Sequence, residues 1–310
     1  MNEQRGLLRN ALTMIGRNKR YIFWFWLLNL TLAEFGTGAF RRNAHAVLDH
    51  SLNAGGLVHG FDLGVFAELL FRPEFGKLSA MYMPSAYFSF FFFIATALFL
   101  PGVFAGYGFR YRLPREDFFR ACGRNLWRFI RLLIMSGILM GALASALYEI
   151  NDLIVDKAGN STNELLPFEL QTSDVILTFL IMTVLRIAFD LAEADIVLSD
   201  RRSVHKSVAA GFRHVFRSLG KLLGAYVLTT IAAGIILIAG LWVWNRLLPP
   251  ESVILTFILG QLILLLLLIP RFWQRAVAVT YWQRNMVPAA KPESPIAPEA
   301  APVLPEPAVP

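Results

Sequence analysis

Six long apolar stretches, separated by charged or polar segments, dominate the sequence. They cover residues 21–40, 85–107, 129–148, 175–198, 222–244 and 253–270. Each is close to the ~20 residues that an α-helix needs to cross a bilayer. The pattern therefore predicts an all-α, polytopic membrane helix bundle with six transmembrane helices, and lipid as the main solvent of the chain.

Composition supports this class. Hydrophobic residues make up 56% of the chain and charged residues only 16%, whereas a soluble domain carries nearer ~25% charged residues. The single cysteine, Cys122, excludes an intramolecular disulfide and a thiolate zinc cluster. The basic start leads directly into the first apolar stretch without a signal-peptidase-like site, so we expect this stretch to act as a signal anchor.

The positive charges predict the orientation. Lysine and arginine are concentrated in residues 1–20, 110–128, 199–221 and 271–291. Because these residues resist translocation, the segments are expected on the cytoplasmic side of the membrane, and both termini are expected to be cytoplasmic. The net charge of +7 reflects this bias. It does not indicate nucleic-acid binding, since the basic residues flank spans instead of forming a groove.

Three basic segments resemble one another. Residues 121–128 (ACGRNLWR) match 210–217 (AGFRHVFR), and residues 16–18 match 123–125 more weakly. Each is predicted to form an amphipathic helix in the headgroup layer before an odd-numbered span, which gives three repeated hairpin units, the first starting with a helix in 1–20. Ordinary topology-setting charge would give the same pattern. The predicted contacts to anionic lipid headgroups are Arg17, Arg124, Arg128, Arg213 and Arg217.

Small residues four positions apart predict helix packing. Gly137, Gly141 and Ser145 recur on the third span, and Gly220 and Gly224 open the fifth. Such faces let two backbones approach closely. We therefore expect the third and fifth spans to be central in the bundle.

The sixth span and the end of the chain predict a different environment. Residues 262–268 are almost all leucine, which favours a peripheral position. Pro270 is expected to bend the chain, and residues 271–281 are then predicted to form a further interfacial helix. The segment 287–310 is rich in Pro, Ala and Glu and is predicted to be a disordered cytoplasmic tail.

Charged residues inside the spans are the first candidates for function. Arg186, Asp190 and Glu193 follow an i, i+4, i+7 spacing and share one helical face. Charge within hydrocarbon is costly, so these groups should face the bundle interior and pair, with Glu34 and Arg131 as candidate cross-helix partners. The face indicates either a polar pathway or proton-linked site, or a structural ion pair near the headgroups.

A histidine- and aspartate-containing stretch is a weaker candidate, for a metal site. Its irregular spacing fits no ligand set well, so neither a metal nor another cofactor is predicted. The residues are His45, Asp49, His50, His59 and Asp62.

A local pattern resembles a known group. Residues 192–198 (AEADIVL), 200–202 (DRR) and 207–217 resemble six-span bacterial membrane proteins of largely unknown function. These include the membrane domain fused to some glycerophosphoryl diester phosphodiesterases. The resemblance extends in architecture over residues 1–287. It implies a six-span fold and a location in the bacterial inner membrane. It implies no reaction, because that phosphodiesterase chemistry resides in a separate soluble domain.

Function is predicted only at the level of class. The sequence contains no recognisable catalytic motif, which favours a non-enzymatic membrane scaffold, anchor or regulatory module. Its expected partners are membrane lipids and a protein partner or a second copy. The alternative is a transporter or channel-like protein for a small solute or lipid, using the charged face of the fourth span. A lipid-modifying enzyme would need the histidine-containing stretch or the span-four acids as its site.

Overall fold

The chain is all-helical over the residues that the computed structural model describes, namely 2–48, 78–109, 112–159, 165–249 and 252–287. These ranges contain eight helices, joined by short turns or by segments outside the description. The helices are α1 (Asn2–Arg17), α2 (Arg20–Leu48), α3 (Leu78–Gly108), α4 (Arg115–Gly159), α5 (Leu165–Leu198), α6 (Val204–Arg217), α7 (Leu219–Leu247) and α8 (Val253–Asn285).

The long helices coincide with the predicted apolar stretches, each of which falls inside one helix. In the described ranges, five helical segments are long and apolar enough to cross a membrane: Ala86–Gly108, Arg115–Val155, Phe168–Leu198, Leu219–Leu247 and Ile254–Asn285. Five such helices are the mark of a membrane-embedded protein. Helix α2 is not among the five, and its apolar run is interrupted by Asn29 and Glu34. A sixth crossing therefore stays a prediction, as does the threefold repeat.

The predicted interfacial helix at 121–128 is not a separate element. Helix α4 begins at Arg115, directly after Pro114, and continues through this segment into the apolar part. Glu116 and Asp117 lie in its first turn, where negative charge stabilises the positive end of the helix dipole. No proline follows, so nothing ends the helix before the span. The other two basic segments do form separate short helices, α1 and α6.

The predicted interfacial helix at 271–281 is also wrong. Helix α8 runs through Pro270 to Asn285, and Phe272, Tyr281 and the segment 276–279 are buried in the core. The sequence Ala-Val-Ala-Val-Thr at 276–280 has no charged face. A helix that is apolar on all sides is buried on all sides, so this segment belongs to the interior.

The core is concentrated at one end of the bundle, which we call the packed end. It is formed by residues 21–25 of α2, 100–107 of α3, 118–132 of α4, 185–197 of α5, 222–226 of α7 and 272–282 of α8, with α1 and α6 packed against them. At the opposite, open end, the helices expose large apolar side chains such as Ile138, Ile238 and Ile254. This exposure suits contact with lipid.

The central helices are α5 and the last turns of α8. The third and fifth spans, which lie in α4 and α7, were predicted to be central but are not. The predicted small-residue faces are open, because a side chain added at Gly137, Gly141 or Gly220 would meet no atom within 4 Å. The close approach occurs instead at Gly211 of α6, where an added Cβ would overlap the carbonyl oxygen of Ala188 in α5. The sequence spacing identified a helix face that can pack, whereas this fold packs a different one.

Candidate functional site

A cavity of about 650 Å³ lies between helices α3, α4, α5 and α8. Because α4 runs from the packed end to the open end and the other three run the opposite way, the depth of each lining residue follows from its number. The side nearer the open end is lined mainly by apolar groups, including Phe92, Phe93, Met140 and Met182, with the hydroxyl-bearing side chains of Ser89 and Thr96 among them. The side nearer the packed end is lined by charged groups: Arg186, Asp190, Glu193, Arg271 and Arg275.

The predicted pair on α5 is present and has a further partner. Arg186 Nε lies 3.9 Å from Asp190 Oδ2. The hydroxyl of Tyr226 on α7 donates a hydrogen bond of 2.7 Å to the same oxygen. Tyr226 is fully buried, so Asp190 is held from two helices. The sequence analysis missed Tyr226, since a tyrosine in an apolar helix carries no pattern that assigns it a partner.

Three buried polar atoms in the cavity lack partners, two of them on charged residues. Within the described ranges, Glu193 Oε2, Arg275 Nε and the hydroxyl oxygen of Thr96 have no hydrogen-bond partner. The Arg275 guanidinium lies 5.5 Å from the centre of the Phe272 ring. A buried polar group without a partner costs free energy. These atoms are therefore the groups in the cavity best placed to bind the polar part of a ligand.

Arg271 and Arg275 are the charged cavity residues that were not predicted as site residues. Both were interpreted as topology-setting charge, because the sixth span was predicted to end at residue 270. Their i, i+4 spacing places them on one face of a helix, and that signal could have identified them. Guanidinium groups present several donors in a planar fork that matches carboxylate or phosphate oxygens, so the arrangement suits an anion.

The structure does not bring Glu34 or Arg131 to this cluster. Glu34 is exposed, and its Oε1 lies 3.0 Å from Nη1 of Arg41 on the same helix. Arg131 is also exposed, with its guanidinium 5.2 Å from the centre of the Trp127 ring on its own helix. The cross-helix partner of Asp190 is Tyr226 of α7 instead, and α8 contributes Arg271 and Arg275 to the lining of the same cavity.

Three of the arginines predicted to contact lipid headgroups have protein partners. Arg128 Nη1 lies 2.6 Å from Asp200 Oδ1, and Arg124 Nε lies 3.9 Å from the same atom. Arg17 donates a hydrogen bond of 2.6 Å to the carbonyl oxygen of Phe109. The hydrogen bond from Arg128 lowers the pKa of Asp200 below its usual value. These arginines thus join segments of the packed end to one another: Arg124 and Arg128 join α4 to Asp200, and Arg17 joins α1 to Phe109.

The other two, Arg213 and Arg217, are exposed on α6. Between them, His214 is partly buried, and its pKa is lowered first by that burial and then by the charges of Arg217 and Arg213. This side of α6 thus carries positive charge at neutral pH mainly through its arginines. The predicted lipid contact of these two residues stays a prediction.

Asp195, from the AEADIVL segment, fastens α5 to its surroundings. It is buried, accepts a hydrogen bond of 3.1 Å from the Trp282 indole, and lies 3.4 Å from Arg201. Trp282 is therefore part of the core. The roles of Asp195 and Arg201 are positional within this fold.

The suggested metal-binding stretch is mostly beyond the described residues. His45 is exposed at the end of α2, whereas Asp49, His50, His59 and Asp62 lie outside the described ranges. In the part of the chain that is described, no group of three or more His, Cys, Asp and Glu side chains could hold a metal ion.

The fold and the cavity together define a class: an all-helical protein with five helices able to cross a membrane and a charged cavity between them. No protein-family model, curated protein or solved structure matches the chain. The resemblance to six-span bacterial membrane proteins accordingly stays a prediction.

Proposed function

We propose that the chain is a six-span protein of the bacterial inner membrane, with both termini cytoplasmic, that binds a small solute or lipid in the cavity beside α5 and carries it within or across the bilayer. The observation that carries this proposal is the pair of buried, unpartnered polar atoms of Glu193 and Arg275 inside a cavity with apolar walls. A purely structural ion-pair network would be expected to satisfy its own members.

The topology can be tested separately from binding. Reporter fusions that are active only in the cytoplasm, placed after Asn53 and after Asn160, are expected to be inactive. A fusion after Met286 is expected to be active. Activity at either of the first two positions would contradict the six-span arrangement, and activity after Asn53 would contradict the crossing by α2 in particular.

Binding can be tested by filling the cavity. Ala97 on α3 lines the cavity, so Ala97→Phe should exclude a ligand. Ala86, which is exposed on the same helix, provides a matched control as Ala86→Phe. We expect native mass spectrometry of the purified protein to detect a co-purified small molecule in the wild type and the control but not in Ala97→Phe. Equal retention by all three proteins, or none in the wild type, would refute binding at this cavity.

Transport adds a second measurement. Once the bound molecule is identified, its flux into proteoliposomes should fall strongly in Asp190→Asn, because the negative charge that pairs with Arg186 is lost, although the asparagine oxygen can still accept the hydrogen bond from Tyr226. Binding without flux in the wild type would leave a binding protein that does not transport.

A membrane scaffold, anchor or regulatory module is the second candidate. The exposed arginines Arg213 and Arg217 on α6 favour it, since a basic helix face can contact an acidic partner or lipid headgroups. Crosslinking of a soluble protein to α6 that is lost in the double variant Arg213→Gln, Arg217→Gln, together with an empty cavity in mass spectrometry, would favour the module over the carrier.

A further inference from the structure

We infer that the molecule bound in the cavity is a single-chain amphiphile with a negatively charged headgroup, either a carboxylate or a phosphodiester. Its headgroup would lie against Arg186, Arg271 and Arg275, and its chain would extend towards the open end. This inference rests on the proposed function, because it requires that the cavity bind a ligand at all.

The balance of charge in the cavity selects an anion. Three guanidinium groups face two carboxyl groups, those of Asp190 and Glu193. Even with both acids ionised, the cluster keeps one excess positive charge, and protonation of either acid would only increase it. An uncompensated charge in a low-dielectric site is unfavourable, so a ligand with one negative charge complements the site best.

The charged groups differ in how free they are to bind. Asp190 is already held by Tyr226 and Arg186. By contrast, Arg275 Nε and Glu193 Oε2 have no hydrogen-bond partner among the described residues, and Arg271 is exposed on α8. A carboxyl group binds an anion only when it is protonated and donates its hydrogen. The two arginines of α8 are therefore expected to bind the anion, while Arg186 is shared between the anion and Asp190.

The apolar side of the cavity selects a chain. Towards the open end, the walls are mainly aromatic rings and the flexible side chains of Met140 and Met182, beside the small side chains of Ser89 and Thr96. Methionine adapts its shape to irregular apolar ligands. The volume of about 650 Å³ is within the ~300–1,000 Å³ of pockets that enclose most of a drug-sized ligand. A headgroup with one acyl chain fits this size better than a two-chain lipid.

The test uses the full-length protein in nanodiscs of phosphatidylcholine, with equilibrium binding of four radiolabelled single-chain probes. Oleate carries a carboxylate, lysophosphatidylglycerol a phosphodiester, lysophosphatidylcholine a zwitterionic headgroup, and oleylamine a positive charge. At least one of the two anions should bind at least about tenfold more tightly than the zwitterion and the cation, the ratio expected for one charge-assisted hydrogen bond. Which anion binds more tightly identifies the headgroup chemistry.

Variants assign the binding to the α8 arginines. Arg271→Gln and Arg275→Gln should each lower the affinity for the more tightly bound anion by at least about tenfold. Arg275→Lys should restore part of this affinity. Arg131→Gln, on an exposed position of α4, is the matched control and should bind as the wild type does. Continued protection of the buried Cys122 thiol from labelling would show that each variant is folded.

The outcomes separate this inference from the proposed function. If none of the four probes binds and Ala97→Phe retains whatever the wild type retains, the cavity is not a ligand site and both fail. If the zwitterion binds as tightly as the anions, or the arginine variants leave anion binding unchanged, only the headgroup assignment is refuted.

Discussion

The substitution Gly211→Ala tests the packing of α6 on α5, which builds much of the packed end. At this position, an added methyl group would overlap the carbonyl oxygen of Ala188 and lie 3.5 Å from the backbone nitrogen of Ala192. Both atoms belong to the backbone of α5, so no change of rotamer can relieve the overlap. Helix α6 must move away from α5.

The expected cost follows from two opposing effects. Overpacking a dense core costs about 1–3 kcal/mol, and the rigid neighbour at Gly211 places this substitution in the upper part of that range. Alanine regains about 1 kcal/mol over glycine through its higher helix propensity. The net prediction is a loss of about 1–2 kcal/mol in the free energy of unfolding. In Gly137→Ala the added methyl group meets no atom within 4 Å. This variant should therefore show only the stabilisation that comes from the higher helix propensity of alanine.

The single cysteine provides the assay. Cys122 is free and its side chain is buried, at 3% exposure, so a thiol-reactive dye labels it only when the packed end opens. A loss of 1–2 kcal/mol should increase the labelling rate about 5- to 30-fold in Gly211→Ala, whereas Gly137→Ala should be labelled no faster than the wild type. Equal labelling rates for both variants would refute the close α5–α6 contact. Faster labelling in Gly137→Ala alone would instead support the prediction that the small-residue face of the third span packs against another helix.

Two further substitutions test polar contacts of the packed end. Tyr226→Phe removes the 2.7 Å hydrogen bond to Asp190 and should destabilise the protein by about 1.5–3 kcal/mol, measured by Cys122 labelling, whereas Tyr148→Phe on an exposed position should have no effect. Asp200→Asn keeps a residue that tolerates the left-handed backbone of this position (φ 52°) but loses the charge paired with Arg128. Because the pKa of Asp200 is lowered by folding, the ion pair stabilises the protein above the usual carboxyl pKa and is lost as the pH falls through the folded value. Because this carboxylate is exposed, the free energy of unfolding of the wild type should exceed that of the variant by only about 0–1 kcal/mol at pH 7. This difference should disappear below about pH 4. Thermal unfolding followed by circular dichroism measures it. A gap that widens on acidification would show that the sign is wrong.

The positions of the helices could be predicted from the sequence because hydrophobic length depends on the chain alone. The ends of the helices could not. Basic residues at 121–128 and 271–281 were taken to mark the edge of the membrane, and the helix was assumed to change there. A charge run, however, does not end a helix. Helix α4 starts directly after Pro114 and runs through the basic residues, and α8 continues through the single proline at residue 270.

The candidate site was predicted in part, for a related reason. Arg186, Asp190 and Glu193 share one face of one helix, and helical spacing alone reveals such a face. Tyr226, the partner of Asp190, and Arg275, which lines the same cavity, lie on other helices, and no spacing in the sequence specifies which helices meet. Glu34 and Arg131 were chosen as partners because they are charged and near a span, but each contacts only its own helix in the pairs described above.

The distribution of packing gives the cavity its chemical polarity. The core is built mainly from the parts of the helices nearest the basic segments, so the structure is most tightly held at one end and most open at the other. The cavity lies where these two regions meet, with charged groups on the packed side and apolar walls on the open side. If the packed end lies at the cytoplasmic surface, as the positive charges predict, an amphiphile entering from the lipid would keep its chain among apolar side chains throughout. Its headgroup would meet three arginines at a depth where water is scarce and each charge-assisted contact is strong. Such a site would discriminate between lipids by charge, which is why the headgroup comparison is the most direct test of what this protein binds.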